Sequence, residues 1–124
     1  MPQARRIGER TELPRTTSIV EARGEDGAHP HEVRTFFVDI DLPVRPGQFI
    51  QVWLPRIDEK PFSVSYQSGQ RLGFTVARVG PFTRSLFECA VGDRIGVRGP
   101  YGNGFDLNGA ERMLIVNGGC GCAP

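Results

Sequence analysis

Two short segments of the chain carry residue types that could bind a small charged ligand. Residues 60–63 read Lys-Pro-Phe-Ser and place a cation, a rigid turn, an aromatic face and a hydroxyl within four positions. Residues 98–105 read Arg-Gly-Pro-Tyr-Gly-Asn-Gly-Phe, and their glycines permit positive φ angles and a close backbone approach to an anion. Together these segments indicate a site for a flat, phosphate-bearing cofactor, with a flavin nucleotide favoured.

The first segment has two interpretations. Lys60 could supply charge for phosphates, and Ser63 a hydrogen-bond donor near the N5–C4 edge of a flavin ring. Because side chains alternate between the two faces of a strand, only twist or a bulge would bring both to one ligand. The alternative is an ordinary strand start with Pro61 at a sheet edge and Phe62 in the core.

A third segment, residues 78–83 (Arg-Val-Gly-Pro-Phe-Thr), ends a predicted strand and opens a predicted helix. Free amides at a helix amino end, together with the Thr83 hydroxyl, would form a cradle for a pyrophosphate. Thr83 could equally do no more than cap the helix, and the sequence does not separate the two roles.

The glycine-dense loop also has two interpretations. Tyr101 or Phe105 could stack on an adenine or an isoalloxazine ring. A plain hairpin with a tight turn at residues 103–104 (Asn-Gly) is the alternative. The length of the loop, with its proline and aromatic residue, favours ligand binding.

The end of the chain resembles the opening of a dinucleotide-binding unit. An apolar run at 113–116 (Met-Leu-Ile-Val) leads into a loop that contains Gly118, Gly119 and Gly121. We expect this loop to be incomplete, because no helix follows to finish a phosphate site. Cys120 and Cys122 are too few for a tetrahedral metal site, so no metal is predicted.

Composition bounds the protein class. A length of 124 residues fits one domain, and 16 glycines with 10 prolines favour an all-β chain with many turns. The net charge of +1 argues against nucleic-acid binding. No apolar run reaches the roughly 18 residues of a membrane span, and no secretory signal is recognisable. Three cysteines do not suggest a disulfide framework, so a cytoplasmic location is expected.

Hydrophobic periodicity predicts six strands and one helix that position these segments. We therefore expect a six-stranded antiparallel Greek-key barrel over residues 15–110, after a flexible N-terminal tail at 1–14. Residues 111–124, with a further strand at 113–116, would begin a truncated NAD(P)-binding domain. The barrel strands are predicted over 16–23, 31–40, 48–54, 61–66, 72–79 and 93–98, and the helix over 82–90.

These segments, in this order, resemble the ferredoxin–NADP reductase family over about residues 16–124. Residues 60–63 are similar to its Arg-x-Tyr/Phe-Ser flavin motif, and 80–83 to its Gly-x-x-Ser/Thr phosphate motif. Residues 46–49 (Pro-Gly-Gln-Phe) resemble its strand-opening turn, and 118–124 the start of its nicotinamide domain. Within the family, residues 92–105 look most like flavin subunits of redox complexes: cytoplasmic nickel–iron (sulf)hydrogenase gamma, anaerobic sulfite reductase B and the dihydroorotate dehydrogenase electron-transfer subunit.

The resemblance implies an FAD-binding domain of an oxidoreductase that relays electrons between NAD(P)H and iron–sulfur or hydrogenase-type subunits. NAD(P)H would bind only if a second domain were supplied, and a non-catalytic assembly module or inactive fragment is the alternative. Ser63 would lie near flavin N5, and Lys60 replaces the usual arginine, keeping the charge but losing bidentate geometry. The residues implied to line FAD are Lys60, Pro61, Phe62, Ser63, Val76, Ala77, Arg78, Gly80, Phe82 and Thr83, to which the stacking argument adds Tyr101.

Overall fold

The computed structural model of the chain describes residues 13–26, 30–106, 108–109, 111–114 and 116. Nearly all of the predicted tail and the whole glycine-rich end, including Gly118, Gly119 and Gly121, lie outside these residues. The described part contains six strands and one helix, in the order β1 (Arg15–Gly24), β2 (Val33–Asp39), β3 (Phe49–Leu54), β4 (Asp58–Ser68), β5 (Arg71–Ala77), α1 (Pro81–Phe87) and β6 (Arg94–Tyr101).

The six strands close into a barrel in the order β1-β2-β5-β4-β3-β6. Every pairing is antiparallel, and β6 bonds to both β1 and β3, which joins the two ends of the sheet. Strands β2 and β3 follow each other in the chain but are separated in the sheet, as in a Greek key. The predicted all-β barrel with one short helix is confirmed.

The barrel interior is filled by the inward side of each strand. Phe36 and Phe74 stack with ring centroids 5.8 Å apart, and Phe87 of helix α1 meets Phe36 edge-on at 5.6 Å. Leu86 is fully buried in the same cluster, so the helix is fixed to the barrel by its apolar side. This anchoring decides where the start of the helix lies.

Helix α1 is shorter than predicted. It begins with Pro81 at its first position, where a missing amide costs nothing, and ends at Phe87 rather than near residue 90. Arg34 donates to the Phe87 carbonyl at 3.0 Å, and the amide of Gly92 donates to Ile19 of β1 at 2.8 Å. Tertiary hydrogen bonds therefore draw the chain out of the helix one turn early.

The strand predicted at 113–116 is not formed among the described residues there. Met113, Leu114 and Val116 are 60%, 90% and 85% exposed and take no regular structure. Because β1 and β6 close the barrel, its sheet offers no free edge to which a further strand could add. In the part of the chain that the structure describes, no helix is long and apolar enough to cross a membrane.

Candidate functional site

A cavity of about 280 Å³ lies where strand β4 faces the start of helix α1. It joins two segments that are some twenty residues apart in the chain, the Lys-Pro-Phe-Ser segment and the loop into the helix. The structure thus brings six of the predicted site residues together in one cavity. The lining residues are Lys60, Pro61, Phe62, Val79, Gly80, Pro81, Phe82 and Thr83.

The cavity exists because β4 changes partners along its length. Its first half pairs with β3, up to Phe49 opposite Ser63, and its second half pairs with β5 from Val64 onward. The gap between the first half of β4 and the end of β5 receives the start of α1. Phe62 lies 5.7 Å from Phe74 on the core side and 5.9 Å from Phe82 on the helix side, centroid to centroid. The Phe62 and Phe82 rings form the apolar wall of the cavity.

The cation of the cavity, Lys60, lies at its rim. Its Nζ is 3.5 Å from Asp58 Oδ2, and the two side chains are 53% and 56% exposed. The Glu59 backbone amide donates to Asp58 at 2.7 Å, and this bond, with help from the charge of Lys60, holds the pKa of Asp58 below its ordinary value. Lys60 is therefore a solvated charge that an anion could share, with Asp58 as the competitor.

The hydroxyl of Thr83 organises the turn into the helix. Its Oγ1 accepts hydrogen bonds from the amides of Val79 at 2.8 Å and Gly80 at 2.9 Å, and donates to the Gly80 carbonyl at 3.1 Å. Thr83 thus fixes the helix start from within. The amides of the first helical turn have no partner inside a helix, so Phe82 and Thr83 direct N–H groups out of the helix start.

Ser63 and Tyr101 lie beside the cavity rather than among its lining residues. Phe49 pairs with Ser63 on one side and with Tyr101 on the other, and the Phe49 and Tyr101 rings are 5.7 Å apart. These residues form the Ser63–Phe49–Tyr101 row, which runs across β4, β3 and β6. Phe49 was not predicted as a site residue, although its place in the strand-opening turn was the available signal.

The three predicted residues at the end of β5 reach the site differently. Val76 is 1% exposed in the core, so only its backbone could face a ligand. Ala77 is half-buried opposite Val33. Arg78 is exposed and lies 3.6 Å from Glu32 in an ion pair. Their side chains are not among those that line the cavity, and they lead the chain to Gly80.

Metal chemistry has no support in this part of the chain. Within the described ranges, no group of three or more His, Cys, Asp or Glu side chains is placed to hold a metal ion. Cys89 is half-buried two residues past the end of α1, and burial, with smaller contributions from Asp93 and Glu88, raises the pKa of its thiol. The site chemistry is therefore that of a cation, aromatic rings and backbone amides.

Sequence comparison finds relatives that share most of this chain. It is 51% identical over 92 residues to a probable dihydroorotate dehydrogenase B (NAD(+)) electron transfer subunit of Methanocaldococcus jannaschii, covering 74% of this chain and 34% of that protein. For the subunit of the same name in Thermococcus kodakarensis, identity is 45% over 93 residues, covering 75% and 38%. The chain thus spans about a third of the length of the curated relatives it matches. No family model matches it.

Structure comparison finds the same fold in ferredoxin–NADP reductases. The fold matches a mutant ferredoxin–NADP⁺ reductase of Plasmodium falciparum with a TM-score of 0.67 at 16% identity, over 78% of this chain and 43% of that one. An NADH-dependent reduced ferredoxin–NADP oxidoreductase matches with a TM-score of 0.62 at 26% identity, over 73% and 36%. The chain has the fold of the barrel domain of these reductases. It is homologous to part of the probable dihydroorotate dehydrogenase B electron transfer subunits.

Proposed function

We propose that this barrel binds FAD and acts as the flavin module of an electron-transfer oxidoreductase. The observation that carries the proposal is the single cavity that combines Lys60, the Phe62 and Phe82 rings and the start of helix α1. A dinucleotide with flat rings and a pyrophosphate needs this combination of cation, apolar wall and backbone donors. Homology to part of an electron transfer subunit, and the fold shared with a ferredoxin–NADP oxidoreductase, support the same assignment.

The residues present fit the two ends of FAD. Lys60 at the rim and the first-turn amides of α1 would hold the phosphates, and Thr83 keeps those amides in place. At about 280 Å³ the cavity takes only part of such a ligand. The rest would lie along the neighbouring Ser63–Phe49–Tyr101 row, where Ser63 could donate to the ring edge. FAD would supply the hydride and single-electron chemistry, while this chain supplies orientation and charge.

The wider role is inferred from the relatives. In the intact protein we propose electron relay between NAD(P)H and an iron–sulfur partner, with a dihydroorotate dehydrogenase-type subunit as acceptor, in the cytoplasm. A hydrogenase-type partner stays a prediction from sequence resemblance. Residues 76–78 and Gly80 are proposed to lie beside the phosphate end. Binding of NAD(P)H itself is assigned to the part of the relatives that this chain does not span.

The proposal is tested by reconstituting the purified chain with FAD. We expect a yellow protein with a flavin absorption spectrum, near-stoichiometric FAD and weaker binding of FMN, because FMN lacks the second phosphate and the adenine. ADP should compete with FAD. A chain whose circular dichroism shows a folded barrel but which takes up no FAD would refute flavin binding and favour a non-catalytic assembly module.

A further inference from the structure

One residue outside the predicted site, Gln48, connects three of its segments. Its side-chain Oε1 accepts from the Arg45 amide at 2.8 Å, and its Nε2 donates to the Gly102 carbonyl at 2.9 Å. Its backbone carbonyl accepts from the Val64 amide at 3.3 Å. A single glutamine therefore bridges the turn before β3, the strand β4 and the loop after β6.

Gln48 and two of its hydrogen-bond partners are each adjacent in sequence to a member of the Ser63–Phe49–Tyr101 row. Val64 follows Ser63 in the chain, Phe49 follows Gln48, and Gly102 follows Tyr101. Strand pairing brings the three residues of the row together, and the bonds of Gln48 tie the flanking positions of all three strands to one residue. The remaining side-chain bond, to Arg45, fixes the carboxamide in the orientation that lets it donate to Gly102.

Packing around Gly102 makes this arrangement sensitive to small movements. Gly102 has φ of +84°, and a β-carbon there would lie 3.3 Å from two carbons of the Phe49 ring. The loop thus passes directly over Phe49. A second tie holds the same loop, since the Phe105 amide donates to the Pro46 carbonyl at 2.8 Å. Loss of the Gln48 bond to Gly102 would let the Tyr101 ring shift relative to Phe49 without releasing the loop.

We propose that Gln48 is the positioning residue for the ring end of the ligand. It holds the Ser63–Phe49–Tyr101 row in the spacing that a flat heterocycle meets, whereas Lys60 and helix α1 hold the phosphate end. This inference rests on the proposed flavin function. It assigns to Gln48 an effect on recognition of the ring and none on recognition of the phosphates.

The chain contains a matched control in Gln67. Its Oε1 accepts from the Val44 amide at 3.3 Å, and its Nε2 donates to the Leu42 carbonyl at 2.8 Å. Gln67 therefore makes the same kind of double bridge, to the same segment before β3, but neither bond touches β6 or the row. Gln48→Leu and Gln67→Leu remove equal numbers of hydrogen bonds, and only the first disturbs the proposed ring site.

The experiment measures dissociation constants of FAD, riboflavin and ADP for the full chain and both variants, with thermal unfolding alongside. Riboflavin carries the ring without phosphate, and ADP carries the phosphates without the flavin ring. We expect Gln48→Leu to weaken riboflavin and FAD about tenfold, as loss of one ordered site contact would, and to leave ADP within twofold. Gln67→Leu should leave all three unchanged while lowering the unfolding midpoint comparably.

The outcomes separate the two proposals. A wild-type chain that binds none of the three ligands overturns the flavin function. A wild-type chain that binds them, with Gln48→Leu equal to Gln67→Leu or weakened equally for riboflavin and ADP, overturns only the role of Gln48. If Gln48→Leu does not fold, Gln48→Met serves instead, because it keeps the length of the side chain, adds no charge and removes the donor to Gly102. It must show the same selective loss of riboflavin.

Discussion

Removing the charge of Lys60 should weaken FAD binding by a modest and calculable amount. Lys60→Met keeps the length of the side chain and deletes the ammonium that would bind the phosphates under the proposed function. Hydrogen bonds to charged groups contribute roughly 1.5–3 kcal/mol, and exposed ion pairs about 0.2–1 kcal/mol. Because the Lys60 side chain is 53% exposed and shared with Asp58, we place the loss near 1–1.5 kcal/mol, about 5- to 12-fold in dissociation constant.

The neighbouring carboxylate sharpens this prediction. Asp58→Asn removes the competitor 3.5 Å from Lys60 and should tighten FAD binding about twofold to threefold. The low pKa of Asp58 keeps it charged from pH 5 to pH 8, so the benefit of Asp58→Asn should be constant across that range. In the Lys60→Met background, Asp58→Asn should improve FAD affinity by a smaller factor. A double-mutant cycle measures the coupling free energy between the two residues.

The assay is titration of the chain with FAD at two salt concentrations, with riboflavin as the ligand that carries no phosphate. The difference between wild type and Lys60→Met should narrow at high salt, because the screening length falls to about 3 Å at 1 M. Riboflavin affinity should not change. Equal FAD affinity of Lys60→Met and wild type at low salt, or an equal loss for riboflavin, would refute the placement of the phosphates at Lys60.

Two further predictions concern the barrel itself. Gly96→Ala puts a β-carbon 2.6 Å from the Trp53 ring and should lower the free energy of unfolding, measured by urea titration, by about 1–3 kcal/mol. The control Gly24→Ala, whose β-carbon would meet nothing within 4 Å, should change it by less than about 0.5 kcal/mol. Equal effects of the two substitutions would contradict the packing around Gly96. The folded pKa of Cys89 is raised above its ordinary value of 9.0, mainly by burial, so the stability it contributes is complete below about pH 9 and is lost as pH rises through the folded pKa. In a background without the other two cysteines, the free energy of unfolding should therefore fall less above pH 9 in Cys89→Ala than in the protein that keeps Cys89. Parallel curves of unfolding free energy against pH would contradict this.

The barrel was predictable because its signals are local. Alternation of buried residues such as Ile50, Val52 and Leu54 marks a strand. The positive φ of Gly47 serves the turn that the Pro-Gly pair predicts. Closure follows once six such strands must bury one face each. The contact between residues 60–62 and 79–83 was likewise implied, since both segments carry groups suited to one ligand.

The features that sequence reasoning missed depend on tertiary contacts. The length of helix α1 is set by Arg34, fifty-three residues from the carbonyl it caps. A row of hydroxyls, Thr35, Thr75 and Ser65, crosses three strands with oxygen separations of 2.9 and 2.8 Å. The spacing of these residues in the sequence does not predict such a row. The sequence predicts Gln48 only as part of the strand-opening turn, because its hydrogen-bond partners in β4 and after β6 are set by the fold.

The pairing of strand β4 explains how Lys60 and Ser63 could both contact one ligand, although alternation places their side chains on opposite faces of the strand. The strand changes partner at Ser63 and Val64 and is irregular between Val64 and Tyr66, so its two faces meet different neighbours. Lys60 enters the cavity beside α1, while Ser63 joins the row with Phe49 and Tyr101. The two ends of a ligand would then contact two separate groups of residues, and strand β4 contributes to both groups. Linked ends bind far more tightly than either fragment, so FAD affinity should exceed that of riboflavin and of ADP by orders of magnitude. A FAD affinity no better than that of ADP would place the ring outside the row, however well the phosphates fitted the cavity.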